Sequence, residues 1–224
     1  MMNHGSISAR MAAGGGGGGG NAFSDAFASN LANWTVDAGA GWSIVSGRLR
    51  YAPGTAYTLN LIRYSSTTTG SATQYAKVTM PFYTQAANSL GVMLRCQASS
   101  GYRYLVYAYN GTLVWSRITW DLSSETEIDS ETMSFTTGNS LGVTIQGTGV
   151  NTVVKVWLNP TANTPVNADN WDSASDPADY TLTDVGSLLT TNNANSGQYA
   201  GLVSYIDSSS GGYNEYDDFY GGGL

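Results

Sequence analysis

Apolar and polar residues alternate with a period of two in one short segment after another, the pattern of strands that bury one face. In VMLRC, Val92, Leu94 and Cys96 fall on one side and Arg95 on the other. In TVVKVWL, Val154, Val156 and Leu158 oppose Val153, Lys155 and Trp157. The same reading predicts strands at 23–28, 33–37, 42–52, 56–64, 74–84, 89–97, 102–109, 112–120, 131–137, 140–147, 151–158, 179–184, 198–206 and 215–220. Turn signals fall between them: PGT (53–55), SSG (99–101), NGT (110–112), GTG (147–149) and SSSGG (208–212). No amphipathic helix of useful length is present. Many short strands punctuated by turns predict an all-β fold, a sandwich or jelly roll rather than a parallel sheet, and the length allows one β domain or two small ones.

Three segments stand outside the alternation. Residues 1–20 form a tail in which Gly14, Gly15, Gly16, Gly17, Gly18, Gly19 and Gly20 are an unbroken run, the most flexible and costliest chain to order. It reads as an extended arm or linker. Residues 159–178, NPTANTPVNADNWDSASDPA, form a long polar loop that Trp171 is expected to clamp to the body. Residues 187–197 make a second long connection. NSLGV occurs at both 88–92 and 139–143, each copy opening a strand–turn–strand unit.

Composition narrows the functional classes. Charged residues are 11% of the 224, against roughly 25% in ordinary soluble domains, while 42% hydrophobic content is enough for a core. The net charge of −7 argues against nucleic acid and anionic membranes, both of which ask for a basic face. Cys96 is the single cysteine and His4, in the tail, the single histidine, so no intrachain disulfide, zinc cluster or Cys–His nucleophile is available. Cys96 is expected to be a small buried hydrophobe. No apolar run approaches the ~20 residues of a membrane-spanning helix, and the first residues lack the apolar stretch of a signal peptide, so the chain is expected to be made in the cytoplasm.

Four pieces, in order, resemble a known pattern: FSDAFASNLANWTV, GWSIVSGRLRY, GVMLRCQASSGYRYLVYAYNGTLVWSR and YAGLVSYIDSSSGGYNEYDDFYGG. Together they run from residue 23 to 222 and look like the concanavalin-A-like (laminin-G-like) jelly-roll modules of secreted bacterial proteins and phage structural proteins. The resemblance implies one antiparallel two-sheet jelly-roll sandwich over residues 21–224, with one sheet concave, and a lectin, carbohydrate-binding module or assembly module. Together with the glycine arm, it implies a non-enzymatic phage virion protein, on capsid or tail. The arm would anchor it to capsid or tail subunits, the protein would be a homo-oligomer, and the exposed jelly roll would bind glycans. A free carbohydrate-binding module is the alternative without the particle.

Three residue sets could carry chemistry. In ETEIDSE, the segment Glu127-Ile-Asp-Ser-Glu131 resembles the catalytic strand of jelly-roll endo-glucanases. That resemblance implies Glu127 as nucleophile, Glu131 as acid/base and Asp129 as the residue that tunes the charge between them. Retaining hydrolysis wants the two carboxyls about 5–5.5 Å apart, whereas i and i+4 on a strand are about 13 Å apart at the backbone. The opposite face, Thr126, Ile128, Ser130 and Thr132, holds one apolar residue. We therefore expect four carboxylates on a common face of an exposed acidic edge, with Glu127 and Glu131 open to solvent; a glycoside hydrolase is the alternative. Asp25, Asp217 and Asp218 would meet if the first and last strands are neighbours, and could hold a structural calcium or simply cap turns around Phe27 and Phe219. No other cofactor is expected. Arg95, Arg103, Tyr107, Tyr109, Trp115 and Arg117 could line one sheet face as a glycan site, or be core and interface.

Overall fold

The computed structural model describes residues 20–52, 58–82, 88–97, 101–189, 198–206 and 212–224. Among these, fifteen strands form: β1 (Ala22–Asp25), β2 (Trp34–Ala38), β3 (Trp42–Val45), β4 (Arg48–Tyr51), β5 (Thr58–Tyr64), β6 (Gln74–Phe82), β7 (Asn88–Cys96), β8 (Tyr102–Tyr109), β9 (Thr112–Thr119), β10 (Glu125–Thr132), β11 (Ser140–Gln146), β12 (Val153–Leu158), β13 (Tyr180–Thr183), β14 (Tyr199–Ile206) and β15 (Asn214–Gly223). They make two antiparallel sheets. Sheet 1 runs β13-β12-β11-β6-β15-β4-β3, with β1 also paired to β15, and sheet 2 runs β10-β9-β8-β7-β14-β5-β2. The expected jelly-roll sandwich is the observed fold. Most of the arm, Gly14 to Gly19, the PGT turn and the 190–197 part of the second connection lie outside the described residues, as does most of SSSGG.

The sheets face each other because each strand turns one apolar row inward. Val92 and Leu94 of β7, Tyr104 and Val106 of β8, Leu113 and Trp115 of β9, and Val154 and Val156 of β12 meet in one core. Hairpin geometry follows from local chemistry. Ser46-Gly47 between β3 and β4, and Asn110-Gly111 between β8 and β9, all have positive φ, the two-residue turn whose twist matches the strands it joins.

Three expectations about strands need correction. The acidic segment is itself a strand, β10, and 131–137 is not one: only Glu131 and Thr132 of that span are in it. β10 pairs only with β9, so it is a sheet edge, and one buried side chain, Ile128, is enough to seat it. The 42–52 span is two strands, broken at Ser46-Gly47. Cys96 does not share a face with Val92 and Leu94. Arg95 takes a left-handed conformation (φ 50°), and the pairing of β7 with β14 shifts register there. The bulge turns Cys96 out to join Met93 on the other side of the sheet.

The 159–178 loop covers the outer face of sheet 1. Trp171 is fully buried, its ring centroid 5.3 Å from that of Trp157 and 6.3 Å from that of Tyr75, and its indole N–H donates to the Ala162 carbonyl at 2.9 Å. Gly142 makes the room: a Cβ there would come within 2.9 Å of the Trp171 ring. The Lys77 ammonium donates to the Ala162 carbonyl at 2.9 Å, and Asp172 accepts from the backbone N–H groups of Thr161 and Ala162. The expected clamp is thus the tryptophan, with a polar frame around it. Trp171→Ala removes the loop's one large buried side chain and should cost about 3 kcal/mol or more, read as a lower denaturant midpoint in chemical unfolding.

Candidate binding face on sheet 2

Sheet 2 carries a second apolar layer on its outward side. Leu61, Met93, Cys96, Leu105, Ile118 and Val203 pack together there and are buried. Burial pushes the Cys96 thiol far up, so it stays a neutral thiol packed as a hydrophobe.

An ionic cluster lies on the same face. Asp37 sits where the β2–β5 pairing shifts register between Val36 and Ala38. Its Oδ1 accepts from Arg63 Nε at 2.9 Å, and its Oδ2 lies 3.6 Å from Arg103 Nη2. The Asp37 and Arg103 side chains are 2% and 1% exposed. Each arginine also meets a ring: the Arg103 guanidinium stands 3.8 Å from the Trp120 ring centre, and Arg63 5.0 Å from that of Tyr199. Arg103 Nη1 donates to the Trp120 carbonyl at 2.9 Å, which pins the ring's backbone as well. Trp120 and Tyr199 are half-buried.

The Asp37–Arg103 contact also reveals the shape of the sheet. Asp37 is on β2 and Arg103 on β8, with β7, β14 and β5 between them. In a flat sheet those strands would lie ~19 Å apart, more than the two side chains can reach. Sheet 2 is therefore curled, and this face is its concave side.

At the other end of the face the chemistry is hydroxyl and carboxylate. Glu125 Oε1 accepts from Tyr107 Oη at 3.0 Å and from Ser116 Oγ at 2.6 Å. Burial, then Glu125, pushes the Tyr107 phenol up and keeps it a donor. Glu127 accepts from Ser130 Oγ at 2.8 Å.

Of the six residues read as a glycan face, the structure brings Arg103, Tyr107 and Tyr109 onto this side, as the alternation along β8 requires. The other three are elsewhere. Arg95 reaches inward and ties the sheets together, Nε donating to the Ala72 carbonyl and Nη2 to that of Gly147, both at 2.8 Å. Burial lowers its pKa to about 10. Trp115 is in the core, and Arg117 donates to the Leu188 carbonyl at 2.9 Å. The face also holds Asp37, Arg63, Trp120 and Tyr199, which the sequence reading passed over. A signal existed for one of them: in TLNLIRY, Arg63 ends the row Leu59–Leu61–Arg63 and so needed a buried partner.

The four carboxylates of β10 do not share a face. Glu127 pairs with Ser116 and Glu131 with Leu113, and the register shifts between Glu127 and Asp129, with Ile128 in the bulge. Ser116 and Leu113 are an odd number of residues apart on β9, so Glu127 and Glu131 point to opposite sides. Both are exposed, as expected. Asp129 Oδ2 accepts from the Thr183 N–H of β13 at 2.9 Å, joining the edges of the two sheets.

β1 and β15 are neighbours, as foreseen, but their aspartates serve separate ends. Asp25 accepts from the Phe27 N–H at 2.7 Å and the Trp34 indole at 2.9 Å, capping a turn. Asp217 faces Arg48 at 3.7 Å, and Asp218 is exposed at φ 50°. Among the described residues no group of three or more His, Cys, Asp or Glu side chains gathers in a way that could hold a metal ion. The described end of the arm, Gly20, lies against Gly223, where a Cβ would come within 2.4 Å of the backbone.

No protein-family model matches the chain, and no curated protein matches it in sequence. Solved structures do match. A β-glucanase of Bacillus licheniformis superposes with a TM-score of 0.56 at 11% identity, covering 92% of this chain and 100% of that one. The carbohydrate-binding module CBM66 from Bacillus subtilis gives 0.51 at 15%, covering 86% and 95%. A bifunctional GH43-CE protein of Bacteroides eggerthii gives 0.52 at 15%, with 88% of this chain spanning 27% of that one. These likenesses show a concanavalin-like jelly-roll fold.

Asp37 gives the fold a pH dependence. Burial raises its pKa above 3.8 against the pull of Arg63 and Arg103. From 3.8 up to the raised value the folded state holds the extra proton, so the contribution of Asp37 to stability falls as pH rises through that window. The stability of wild type relative to Asp37→Asn should therefore grow as pH falls from neutral toward 3.8, measured by urea unfolding over a pH series. A difference that shrinks on acidification would show that the arginines outweigh burial.

Proposed function

We propose that this protein is a non-enzymatic glycan-binding jelly roll whose ligand lies across the concave face of sheet 2. The observation that carries the reading is the pair of half-buried rings, Trp120 and Tyr199, each fixed over an arginine that a single carboxylate, Asp37, holds in place. A ring fixed over a cation offers its other surface to the C–H groups of a sugar at little entropic cost. Tyr107, Ser116 and Glu125 add donors and acceptors for hydroxyls farther along the face. The likeness in shape to a carbohydrate-binding module supports the reading. Retaining hydrolysis needs carboxyls about 5–5.5 Å apart, and Glu127 and Glu131 on opposite sides of β10 favour binding over cleavage.

The finer part of the proposal concerns display. The domain is carried on a phage particle as a homo-oligomer, held by residues 1–20 to capsid or tail subunits. Its support is the glycine run of the sequence and the likeness of the four quoted segments to phage modules.

On a broad glycan array the full chain should bind at least one glycan class. Trp120→Ala or Tyr199→Ala should each weaken that binding about tenfold or more, the scale of one aromatic contact worth about 1.4 kcal/mol. An array with no binding, or affinities untouched by both substitutions, would sink the reading. Incubation with β-glucans should release no reducing ends; release that Glu127→Gln abolishes would instead make it a hydrolase. Removing residues 1–20 should leave the domain folded by circular dichroism and abolish its incorporation into particles.

A further inference from the structure

The ionic cluster on the concave face is incompletely satisfied in a patterned way. Asp37 Oδ2, Arg103 Nε and Arg103 Nη2 are shielded from solvent, and apart from the long ion pair between Oδ2 and Nη2 they have no polar partner within hydrogen-bond distance. Arg103 Nη2 and Asp37 Oδ2 face each other at 3.6 Å, beyond hydrogen-bond length. The three atoms make one acceptor beside two donors, and the two donors are the parallel pair along one edge of a guanidinium.

Few groups complement that arrangement. A carboxylate or phosphate could accept from the two donors, but it would set its negative charge against Asp37. An ammonium could donate to Asp37 but has nothing to accept with. Two adjacent hydroxyls match all three atoms, because each oxygen can accept while its own hydrogen donates. One accepts from Arg103 Nε; the other accepts from Nη2 and donates to Asp37 Oδ2. Once that 3.6 Å pair opens, a single hydroxyl oxygen inserted between them can stand about 2.8 Å from each.

We propose that Asp37 and Arg103 form a subsite for a vicinal diol of a neutral sugar, and so select glycans whose repeat carries two adjacent free hydroxyls. This rests on the glycan-binding reading and sharpens it. Because the three atoms are shielded, the diol parts Asp37 from Arg103 as it binds. Their 3.6 Å ion pair is the longest link of the cluster and the one that yields, while Arg63 keeps its hydrogen bond to Asp37 Oδ1. Trp120, stacked on the Arg103 guanidinium, places an aromatic surface beside the same sugar.

The test uses the full chain and titrates five glycans by calorimetry. Cellohexaose, xylohexaose and levan present adjacent free hydroxyls in every repeat. A long linear β-1,3-glucan has O3 tied up in its linkages, so its interior residues present none. Polygalacturonate, as a separate arm, adds a carboxylate to each diol. We expect binding to at least one diol-bearing neutral glycan, with the β-1,3-glucan at least tenfold weaker per residue and polygalacturonate no tighter than the neutral glycan. Arg103→Lys keeps the charge beside Asp37 but removes the paired donors, and should lower affinity about tenfold while thermal unfolding confirms a folded domain. Equal binding of the β-1,3-glucan, tightest binding of polygalacturonate, or a folded Arg103→Lys with unchanged affinity would overturn the diol subsite and leave glycan binding standing. Binding to none of the probes by a chain that does bind elsewhere on the array would also overturn it. Silence across the whole array would remove both readings together.

Discussion

Arg103 meets Asp37 across three intervening strands, and much of the organisation of sheet 2 follows from that span. A sandwich buries one face of each sheet and ordinarily leaves the other to solvent. Here both outward faces carry apolar residues that need cover, and the two sheets find different solutions. Sheet 1 is covered by added chain, the 159–178 loop with Trp171 under it. Sheet 2 curls, so that residues from β2, β5 and β8 close over the layer formed by Leu61, Met93, Leu105 and Val203. Taking a carboxylate and a guanidinium out of water is expensive, and their attraction repays it only when further contacts are made. The cluster supplies these through the Arg63 hydrogen bond, the Trp120 carbonyl and two stacked rings. What remains unsatisfied is confined to three atoms at one place.

How much of this was legible in the sequence depended on regularity. Strands that hold their register read correctly: β8 gave Arg103, Tyr107 and Tyr109 on one face, and β12 gave Val154 and Val156 opposite Trp157. The failures at Cys96 and Glu131 have one cause. Each lies just past a bulge, at Arg95 and at Ile128, and one extra residue moves every later side chain to the other side. No composition or spacing marks those bulges, because a left-handed arginine is unusual and Ile128 sits in an otherwise even alternation. Trp115 failed differently. Its alternation with Arg117 was right, but alternation cannot say which row faces the core. Asp37 was invisible for a third reason: its partners lie 26 residues away at Arg63 and still farther at Arg103, joined by a curl that no local pattern encodes.

The candidate face is chemically polarised along its length. One end holds arginines neutralised by a shared carboxylate and capped by rings; the other holds Glu125, Glu127 and the hydroxyls of Tyr107 and Ser116. With nine basic residues in the chain, committing Arg63 and Arg103 to one cluster is a sizeable share. Their role there is geometric as much as electrostatic. A guanidinium under a ring restricts its tilt, so the rings are ordered before any ligand arrives, and the ordering cost is met in folding rather than in binding. The low content of charged residues, 11%, fits such a surface, since a neutral, hydroxyl-rich ligand gains nothing from long-range steering.

The hydrogen bond from the Thr183 N–H to Asp129 has a consequence for assembly. β10 and β13 are the outermost strands of their sheets on the same flank, and they pack beside each other. An outermost strand normally offers a row of unpaired backbone groups on which another chain can polymerise. With one of those groups capped by a carboxylate from the opposite sheet, and three further carboxylates along β10, this flank repels such growth. A chain adding a strand on this flank would have to break the bond that joins the two layers, so the same contact that holds the sheets together also guards their margin.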